Sequence, residues 1–447
     1  MDDLNDLISD TDFFLFFIYA LIGYFLIRYV IFKNRDKRFY LMVKIFFGLK
    51  LISAIVMSLL TVYYWKIGDA ISYFNESQNL IQLFKKDISN IKYLFIPVEY
   101  YSSQLSLDND LIRTVNGAGQ ESSFLISKLC AIFYPFALGK YLLVNFLFCF
   151  MSIVGQLKFY TVLVKRYPHL KKVIAISILF MPTLLLYSST IYKETLCYSC
   201  IGFIFYNFHQ IMHKRNAVWN TFFLILNAFL ILTVKFYVIV AFLISIFLLL
   251  FFQFVGIMFR HSLITKSFVI ILLMCLSTLF IYNIDFFNPY VLSFVDTSNN
   301  FQQYYNNDFG ETSSFEIGEI ELSAVGLLKK MPIGFYSTYF RPHIWEVKKP
   351  IVLFSALESF FILAFTLWTL TKKGIYLFQL IKKDLFARLS LYYVIILGII
   401  IGLNTFNFGT LIRYKVPVVP FAWLFVFILY YYTPTIKIEK KSDRGFP

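Results

Sequence analysis

The sequence has few charged residues. Only 15% of its 447 residues are Asp, Glu, Lys or Arg, whereas 59% are hydrophobic and 21% are aromatic. Soluble domains carry about a quarter charged residues, so this composition excludes an ordinary soluble protein. With a mean hydropathy of +0.69, it predicts an all-α polytopic integral membrane protein, a helical bundle whose apolar helices cross the bilayer.

Acidic residues are especially scarce, with 26 Asp and Glu against 41 Lys and Arg and a net charge of +15. A nucleic-acid-binding protein would gather its basic residues on a soluble face, with a recognisable motif. Here they form short clusters between apolar runs instead. We therefore interpret them as topology determinants and expect no nucleic-acid partner.

Cysteine patterns that would hold a metal are also missing. The chain has five cysteines, and the pair Cys197 and Cys200 has no second pair or histidine companion to complete a zinc site. The first residues, "MDDLNDLISDTD", are acidic where a cleavable signal peptide needs a basic segment. No repeat period stands out, so we expect a single integral membrane domain over residues 1–447.

Apolar runs long enough to cross ~30 Å of hydrocarbon number about eleven. They lie at 13–32, 40–65, 139–164, 171–190, 195–213, 217–234, 236–258, 264–283, 350–371, 389–404 and 416–433. Loops rich in Lys and Arg, such as "KNRDKR" and "KRYPHLKK", occur at every second connection. The positive-inside rule places these loops in the cytoplasm. The N-terminus is then predicted outside and the C-terminus in the cytoplasm.

Two predicted external loops are long, at about 66–138 and 284–349. Within the first loop, residues 77–94 and 122–139 have helical apolar spacing but are too charged or too short to span. We expect these segments to be helices that lie in the membrane interface.

The motif "GDAISY" places Asp69 just after the second span, with Tyr73 one helical turn later. A carboxylate fixed at this point can act as a general base towards a hydroxyl or hold a divalent cation. The alternative is that Asp69 only caps the helix that begins there.

Three charged residues lie next to predicted spans. Lys193 and Glu194 occupy a very short external hairpin, where they form either a solvated turn whose charges reach the interface or part of a shared external cavity. Lys235 lies between two apolar runs with almost no loop around it. An ionisable group at such a depth is a functional candidate by default.

The stretch "FRPHIWE" gathers Arg341, His343, Trp345 and Glu346 before a span. Arginine suits bidentate recognition of phosphate, so this cluster is a candidate site for a phosphorylated ligand. The alternative is an interfacial collar, with Trp345 in the aromatic belt and Arg341 at the headgroups.

A further motif and a single glutamate are predicted on the same side of the membrane as the "FRPHIWE" stretch. The motif "RYKVPVVP" places Arg413 and Tyr414 before the last span, and Glu358 lies about two turns into the span after the "FRPHIWE" stretch. A carboxylate at that depth is expensive unless it is paired or wetted. We expect Arg341 or Lys235 to neutralise it.

Taken with these motifs, the layout resembles the GT-C glycosyltransferases and bacterial envelope polysaccharide polymerases, which use polyprenyl-linked donors. The resemblance rests on "GDAISY" in the first large external loop, followed by interfacial helices and many spans. It implies a bacterial inner-membrane enzyme in which Asp69 takes the place of the catalytic loop carboxylate. The chain has no paired carboxylates in "GDAISY", so a divalent cation at Asp69 is only weakly favoured and no other cofactor is expected.

A mechanism for a polyprenyl-phosphate-linked or pyrophosphate-linked sugar follows as a hypothesis. The acceptor is a glycan, a protein or a lipid, and Asp69 activates its hydroxyl group. His343 and Glu346 share the proton transfer or orient the sugar. The basic side chains stabilise the departing phosphate, and aromatic side chains stack on sugar faces. The basic side chains proposed for the phosphate are Arg341, Arg413, Lys193 and Lys235. The aromatic side chains proposed for the sugar are Tyr73, Trp345 and Tyr414. The alternatives are a polysaccharide repeat-unit polymerase and a lipid-linked sugar transporter or flippase.

Overall fold

The computed structural model describes residues 7–33, 35–66, 68–96, 121–258, 284–309 and 314–433. Within these residues the chain is all-helical, and the only strand-like feature is an isolated antiparallel bridge between Ser314 and Asn407. The predicted helical class is therefore confirmed for this part of the chain. By its internal contacts the chain forms two compact units, Met1–Phe236 and Tyr237–Lys440.

The first unit contains nine described α-helices. They are α1 (Asp10–Phe25), α2 (Lys37–Leu59), α3 (Asp69–Lys86), α4 (Glu121–Phe133), α5 (Tyr141–Arg166), α6 (Lys171–Ala175), α7 (Pro182–Tyr187), α8 (Lys193–Met212) and α9 (Ala217–Val234). Wider π-helical segments continue α1 to Ile31 and α2 to Trp65.

The second unit contains eight described α-helices. They are α10 (Phe236–Met258), which begins at the boundary, α11 (Ile284–Phe309), α12 (Ala324–Phe340), α13 (Pro350–Lys373), α14 (Leu377–Lys383), α15 (Leu385–Asn404), α16 (Phe408–Tyr414) and α17 (Val419–Tyr431). A single 3₁₀ turn, Ile344–Glu346, lies between α12 and α13.

Seven helical stretches of the described chain are long and apolar enough to cross a membrane. They are Asp10–Ile31, Lys37–Trp65, Tyr141–Arg166, Ala217–Val234, Phe236–Val255, Pro350–Lys383 and Leu385–Asn404. An eighth consists of α16 and α17, which are bent by 64° at their junction. The chain is thus a helical, multi-pass membrane protein, and these eight stretches coincide with eight of the predicted spans.

The other three predicted spans have different outcomes. The run at 264–283 lies outside the described residues. The run at 171–190 is interrupted, because α6 passes into a π-helical segment, Ile176–Phe180, and the chain then restarts at Pro182. The run at 195–213 forms α8, which carries Tyr, Asn, His and Gln side chains and is too polar to be counted among the seven.

Close packing between α5 and α8 depends on glycine. A Cβ atom at Gly155 would lie 2.6 Å from the carbonyl oxygen of Ser199, and one at Gly202 would collide with the backbone of Gly155. Helices in membranes use small residues in this way because their backbones can then approach closely enough for favourable van der Waals packing.

The second unit has an equivalent crossing between α12 and α15. A Cβ atom at Gly402 would collide with the carbonyl oxygen of Gly334, and one at Gly398 would meet the ring of Tyr339. Two hydrogen bonds join the same faces, from Thr338 Oγ1 to the carbonyl of Gly398 (2.7 Å) and from Tyr339 Oη to the carbonyl of Val394 (2.7 Å). The two helices are therefore antiparallel and fixed in register.

Replacing Gly402 with Ala is expected to destabilise the second unit by about 1–3 kcal/mol, because the added methyl group must push the two backbones apart. The measurement is thermal unfolding of the purified protein in detergent. Gly48→Ala in α2 is the matched control, since a Cβ atom there has no neighbour within 4 Å. Its expected effect is neutral or stabilising, because Ala favours a helix over Gly by about 0.5–1 kcal/mol. Equal melting temperatures for the two variants would contradict the close crossing.

Candidate functional sites

Asp69 is the first residue of α3, and its side chain is exposed. A carboxylate in the first helical turn is favoured by the helix dipole, but Gly68 and not Asp69 occupies the N-cap position, so the capping role predicted as the alternative was wrong. Tyr73, one turn later, is almost fully buried. A ring that stacks on a sugar needs an open face, so Tyr73 does not have the exposure that this role requires.

Glu76, two turns along the same helix, is a buried carboxylate that the sequence analysis missed. Its Oε2 accepts a 2.5 Å hydrogen bond from the hydroxyl of Ser127 on α4. Burial raises the pKa of Glu76, and the hydrogen bond from Ser127 offsets only part of that shift. The carboxyl group therefore keeps its proton at a higher pH than an exposed glutamate does.

Glu194 and Lys235 form a buried ion pair in the first unit. The distance from Lys235 Nζ to Glu194 Oε1 is 2.7 Å, and the two side chains are 3% and 0% exposed. Glu194 lies in the first turn of α8, and Lys235 follows the last residue of α9. Lys193, beside them in sequence, donates to the hydroxyl of Ser122 over 3.0 Å. The two residues predicted in a solvated hairpin thus have different environments, and only Lys193 is partly exposed.

Lys50, in the span formed by α2, is fully buried and was not identified from the sequence. Its ammonium group donates to the carbonyl and hydroxyl oxygens of Ser188, at 2.5 and 2.6 Å, and to the carbonyl of Leu184 at 3.3 Å. These oxygens lie at the C-terminal end of the short helix α7, where the Leu184 carbonyl also accepts from the backbone N–H of Ser188. Lys50 therefore stabilises the interruption in the predicted span 171–190.

In the second unit a relay of polar side chains follows α12. The hydroxyl of Tyr336 lies 2.9 Å from His343 Nε2, and His343 Nδ1 lies 2.9 Å from Glu346 Oε2. Glu346 Oε1 in turn lies 2.8 Å from a terminal nitrogen of Arg341. Since a carboxylate accepts at Nδ1, that nitrogen carries the proton and Nε2 accepts from Tyr336. A hydroxyl, an imidazole and a carboxylate in this order are the components of a proton relay.

Two more contacts hold the relay in place. The backbone N–H of His343 also donates to Glu346 Oε2, over 2.7 Å. The ring of Trp345 stacks on the imidazole of His343, with centroids 4.6 Å apart and planes 3° apart. Trp345 is 81% exposed, so this aromatic side chain keeps surface available for stacking on a ligand.

A small polar cavity lies where α16 and α17 meet. Its lining includes Glu358, Ser359, Lys415 and Trp423. Lys415 Nζ donates to Ser359 Oγ (3.0 Å) and to the carbonyl of Arg341 (3.3 Å), and it is electrostatically coupled to Glu358. Arg341 or Lys235 was the predicted partner of Glu358. Glu358 instead lies beside Lys415, a residue of the "RYKVPVVP" motif to which no role was assigned from the sequence.

The indole of Trp423 adds a donor to this cavity. Among the described residues no acceptor lies within hydrogen-bonding distance of its buried Nε1. The cavity leaves about 10 Å³ for the centre of a water molecule, which is close to the minimum for one bound water. A water here can accept from Trp423 and bridge to Lys415 and Glu358.

Arg413 and Tyr414 end α16, just before the bend, and both are partly exposed. The ring of Tyr414 lies 6.0 Å from that of Tyr237. The predicted residues thus divide by unit, with Asp69, Tyr73, Lys193, Glu194 and Lys235 in the first and the rest in the second. Direct contacts join Glu194 with Lys235, and they join Arg341, His343, Trp345 and Glu346.

In the described part of the chain no group of three or more His, Cys, Asp and Glu side chains is arranged to hold a metal ion. Comparison with known proteins found no matching family model, no similar curated protein and no similar solved structure.

Breaking the buried ion pair is expected to cost stability. Lys235→Met leaves the carboxylate of Glu194 buried beside an apolar group, which should lower the free energy of unfolding by about 3–5 kcal/mol. The double variant Glu194→Gln with Lys235→Met should recover most of this loss, because no buried charge remains. Thermal unfolding in detergent measures both. A double variant as unstable as the single one would show that the pair acts through contacts other than charge.

The raised pKa of Glu76 gives a pH dependence. Because the folded state binds this proton more tightly than the unfolded state, stability is highest at acidic pH and falls as pH rises through the folded pKa. Glu76→Gln should therefore raise the melting temperature at about pH 8 and leave it nearly unchanged at about pH 5. Glu321→Gln is the control, since Glu321 is exposed. A Gln variant with the same loss of stability at high pH as the parent would exclude Glu76 as its source.

Proposed function

We propose that the chain is a glycosyltransferase of the bacterial inner membrane. In this proposal it acts at the external face on polyprenyl-phosphate-linked sugars, in the synthesis of a cell-surface polysaccharide or glycoconjugate. The proposal includes the eleven spans, the interfacial helices and the external N-terminus inferred from the sequence. The single observation that carries it is the relay from Tyr336 through His343 to Glu346 and Arg341.

The relay supports transfer to a hydroxyl acceptor. Tyr336 is 40% exposed, so its oxygen can accept the proton of a sugar hydroxyl while its own proton moves to His343 Nε2. Glu346 stabilises the imidazolium that forms. The acceptor oxygen then bonds to the anomeric carbon, whose bond to the phosphate oxygen breaks with its electron pair. General acid–base assistance of this kind is worth about 10²–10⁴-fold in rate.

The leaving phosphate needs cationic groups, and the second unit carries two arginines that were predicted for this role, Arg341 and Arg413. Arg341 binds Glu346 with one terminal nitrogen, while its other terminal nitrogen donates to the carbonyl of Glu316 over 3.3 Å. A guanidinium group has five donors, so Arg341 can contact a phosphate oxygen while it keeps Glu346 oriented. Arg413, partly exposed at the end of α16, is the second proposed phosphate ligand.

Asp69 lies in the first unit and keeps, as a separate proposal, the role of the loop carboxylate implied by the resemblance to GT-C enzymes; the relay mechanism of the second unit does not include it. Its exposure on the first turn of α3 leaves it accessible to an acceptor. The polymerase alternative uses the same arginines on two lipid-linked glycans and gives Asp69 a smaller part.

A transporter of lipid-linked sugars is a second candidate, and one observation favours it. Helices are interrupted in each unit, at Ile176–Pro182 and at the bend before α17, and a buried lysine lies at each interruption. Transporters commonly place broken helices and charged groups at their binding sites.

The transferase proposal predicts a large effect at His343. In cells that lack the protein, complementation with His343→Ala should leave the lipid-linked glycan precursor accumulated, with product formation reduced by about 10²–10⁴-fold. Mass spectrometry of lipid-linked glycans measures both species. The control is Lys329→Ala on α12, the helix that precedes His343, which removes only an exposed ion pair with Glu321. It should restore the parental pattern, since exposed pairs contribute little.

Three outcomes separate the candidates. Loss of transfer in Asp69→Asn, with lipid binding retained, supports the transferase. A mild effect of Asp69→Asn, together with a severe defect of Arg341→Ala or Arg413→Ala, supports the polymerase. Full activity of His343→Ala together with protein-dependent movement of an unmodified lipid-linked sugar across liposomes would overturn both enzymes in favour of transport.

A further inference from the structure

The contacts of α12 fix its level relative to two spans of the second unit. Gly334 packs on Gly402, and Thr338 bonds to Gly398. At its C-terminal end the carbonyl of Arg341 accepts from Ser359 Oγ of α13 over 2.9 Å. Ser359 is the tenth residue of α13, which puts it about 14 Å along that helix from Pro350. The end of α12 is therefore level with the interior of α13, well past its first turn.

The same offset between α12 and α13 applies along the length of α12. Residues 350–383 and α15 are consecutive candidate spans, which cross a membrane in opposite directions. Since α12 runs antiparallel to α15, it then runs in the same direction as α13. A shift of eighteen residues, from Arg341 to Ser359, aligns Pro332 with Pro350, where α13 begins. The first half of α12 thus precedes the start of the span, and the second half lies beside it.

The charge pattern of α12 agrees with this alignment. Its charged residues, Lys329 and Lys330, both lie before Pro332, whereas "PIGFYSTYF" (332–340) has none. The chain then returns through residues 342–349, and Lys348 and Lys349 immediately precede α13. Lysines of α12 and of the segment that leads into α13 thus lie at the level where the span begins. Snorkelling side chains are expected at this level.

We infer that residues 324–349 form a re-entrant hairpin, in which α12 enters the membrane to about the depth of Ser359 and the chain turns back at Arg341. From Pro332 onwards, where α12 lies beside the span, the occupant of its outward face is then the acyl-chain region of the bilayer. Val325, Leu328, Ile333 and Tyr336 are exposed along α12, and on α13 the residues Leu353, Phe354, Phe360 and Leu367 are exposed in the same way. The apolar surface therefore continues from the spanning helix onto the hairpin.

A re-entrant hairpin places the relay at membrane depth. Irregular backbone at membrane depth is tolerated where protein buries it or where it lines a water-filled space. The turn at Arg341 meets this condition, because Lys415 and Ser359 bind its carbonyl and Glu346 binds its side chain. The relay then lies inside the membrane and not on its outer surface.

Spin-label depth measurements test the hairpin without any assay of function. Single cysteines at Val325, Leu328, Ile333 and Tyr336 are introduced into a chain whose five native cysteines are replaced by Ala. After reconstitution into liposomes, relaxation by molecular oxygen and by a water-soluble nickel chelate gives the depth of each nitroxide. Labels at Leu353, Phe354 and Phe360 on α13 provide the matched depth scale.

Depth should increase steadily from residue 325 to residue 336, by about 16 Å in total, and labels at Tyr336 and Phe354 should report equal depths. Four labels at one headgroup depth would show an interfacial helix and overturn the hairpin. Low access to both oxygen and nickel at Ile333 and Tyr336 would show that protein, such as a second copy, covers the face, and would overturn the lipid as its occupant. Thermal unfolding of each variant confirms that the labelled proteins are folded.

Discussion

Backbone carbonyl groups that are left without helical partners at membrane depth are the constraint on which this structure depends. A helix that ends inside hydrocarbon exposes carbonyl oxygens that water cannot reach. Lys50 meets this need at the end of α7, and Lys415 meets it at the end of α12. In both places the ammonium group of a buried lysine donates to the carbonyl oxygen of the residue that follows the last residue of another helix. The buried lysines are therefore best understood as parts of the backbone hydrogen bonding, because their N–H groups donate to these oxygens.

The sequence predicted the spanning helices well because length and hydropathy are local properties. Eight predicted spans coincide with apolar helices of the described chain. The interruption at Ile176–Pro182 was not predicted, since its apolar composition is that of a continuous span and its support comes from Lys50, more than a hundred residues earlier. Hydropathy also gave no sign that α12 packs along α15, because that contact depends on three glycines rather than on apolar periodicity.

The candidate site was predicted in part. Arg341, His343 and Glu346 were identified because they are adjacent in sequence, and the structure joins them. Tyr336 was missed because its helix ends at Phe340, before His343, so helical periodicity does not predict their contact. Glu194 and Lys235 were each singled out, but their pairing was not, since forty-one residues separate them. Pairings between helices depend on the tertiary fold, which the local pattern does not contain.

Arg341 connects the two features of the second unit. Its guanidinium group orients Glu346 and so the imidazole of His343, while its carbonyl oxygen binds Lys415 and Ser359 at the bend of the last span. Its cation also lies over the ring of Phe315, 4.8 Å from the centroid. An anion that draws the side chain away from Glu346 would leave the backbone anchored, because the two sets of contacts use different atoms. The relay can therefore respond to an anionic ligand while the hairpin that carries it stays in place.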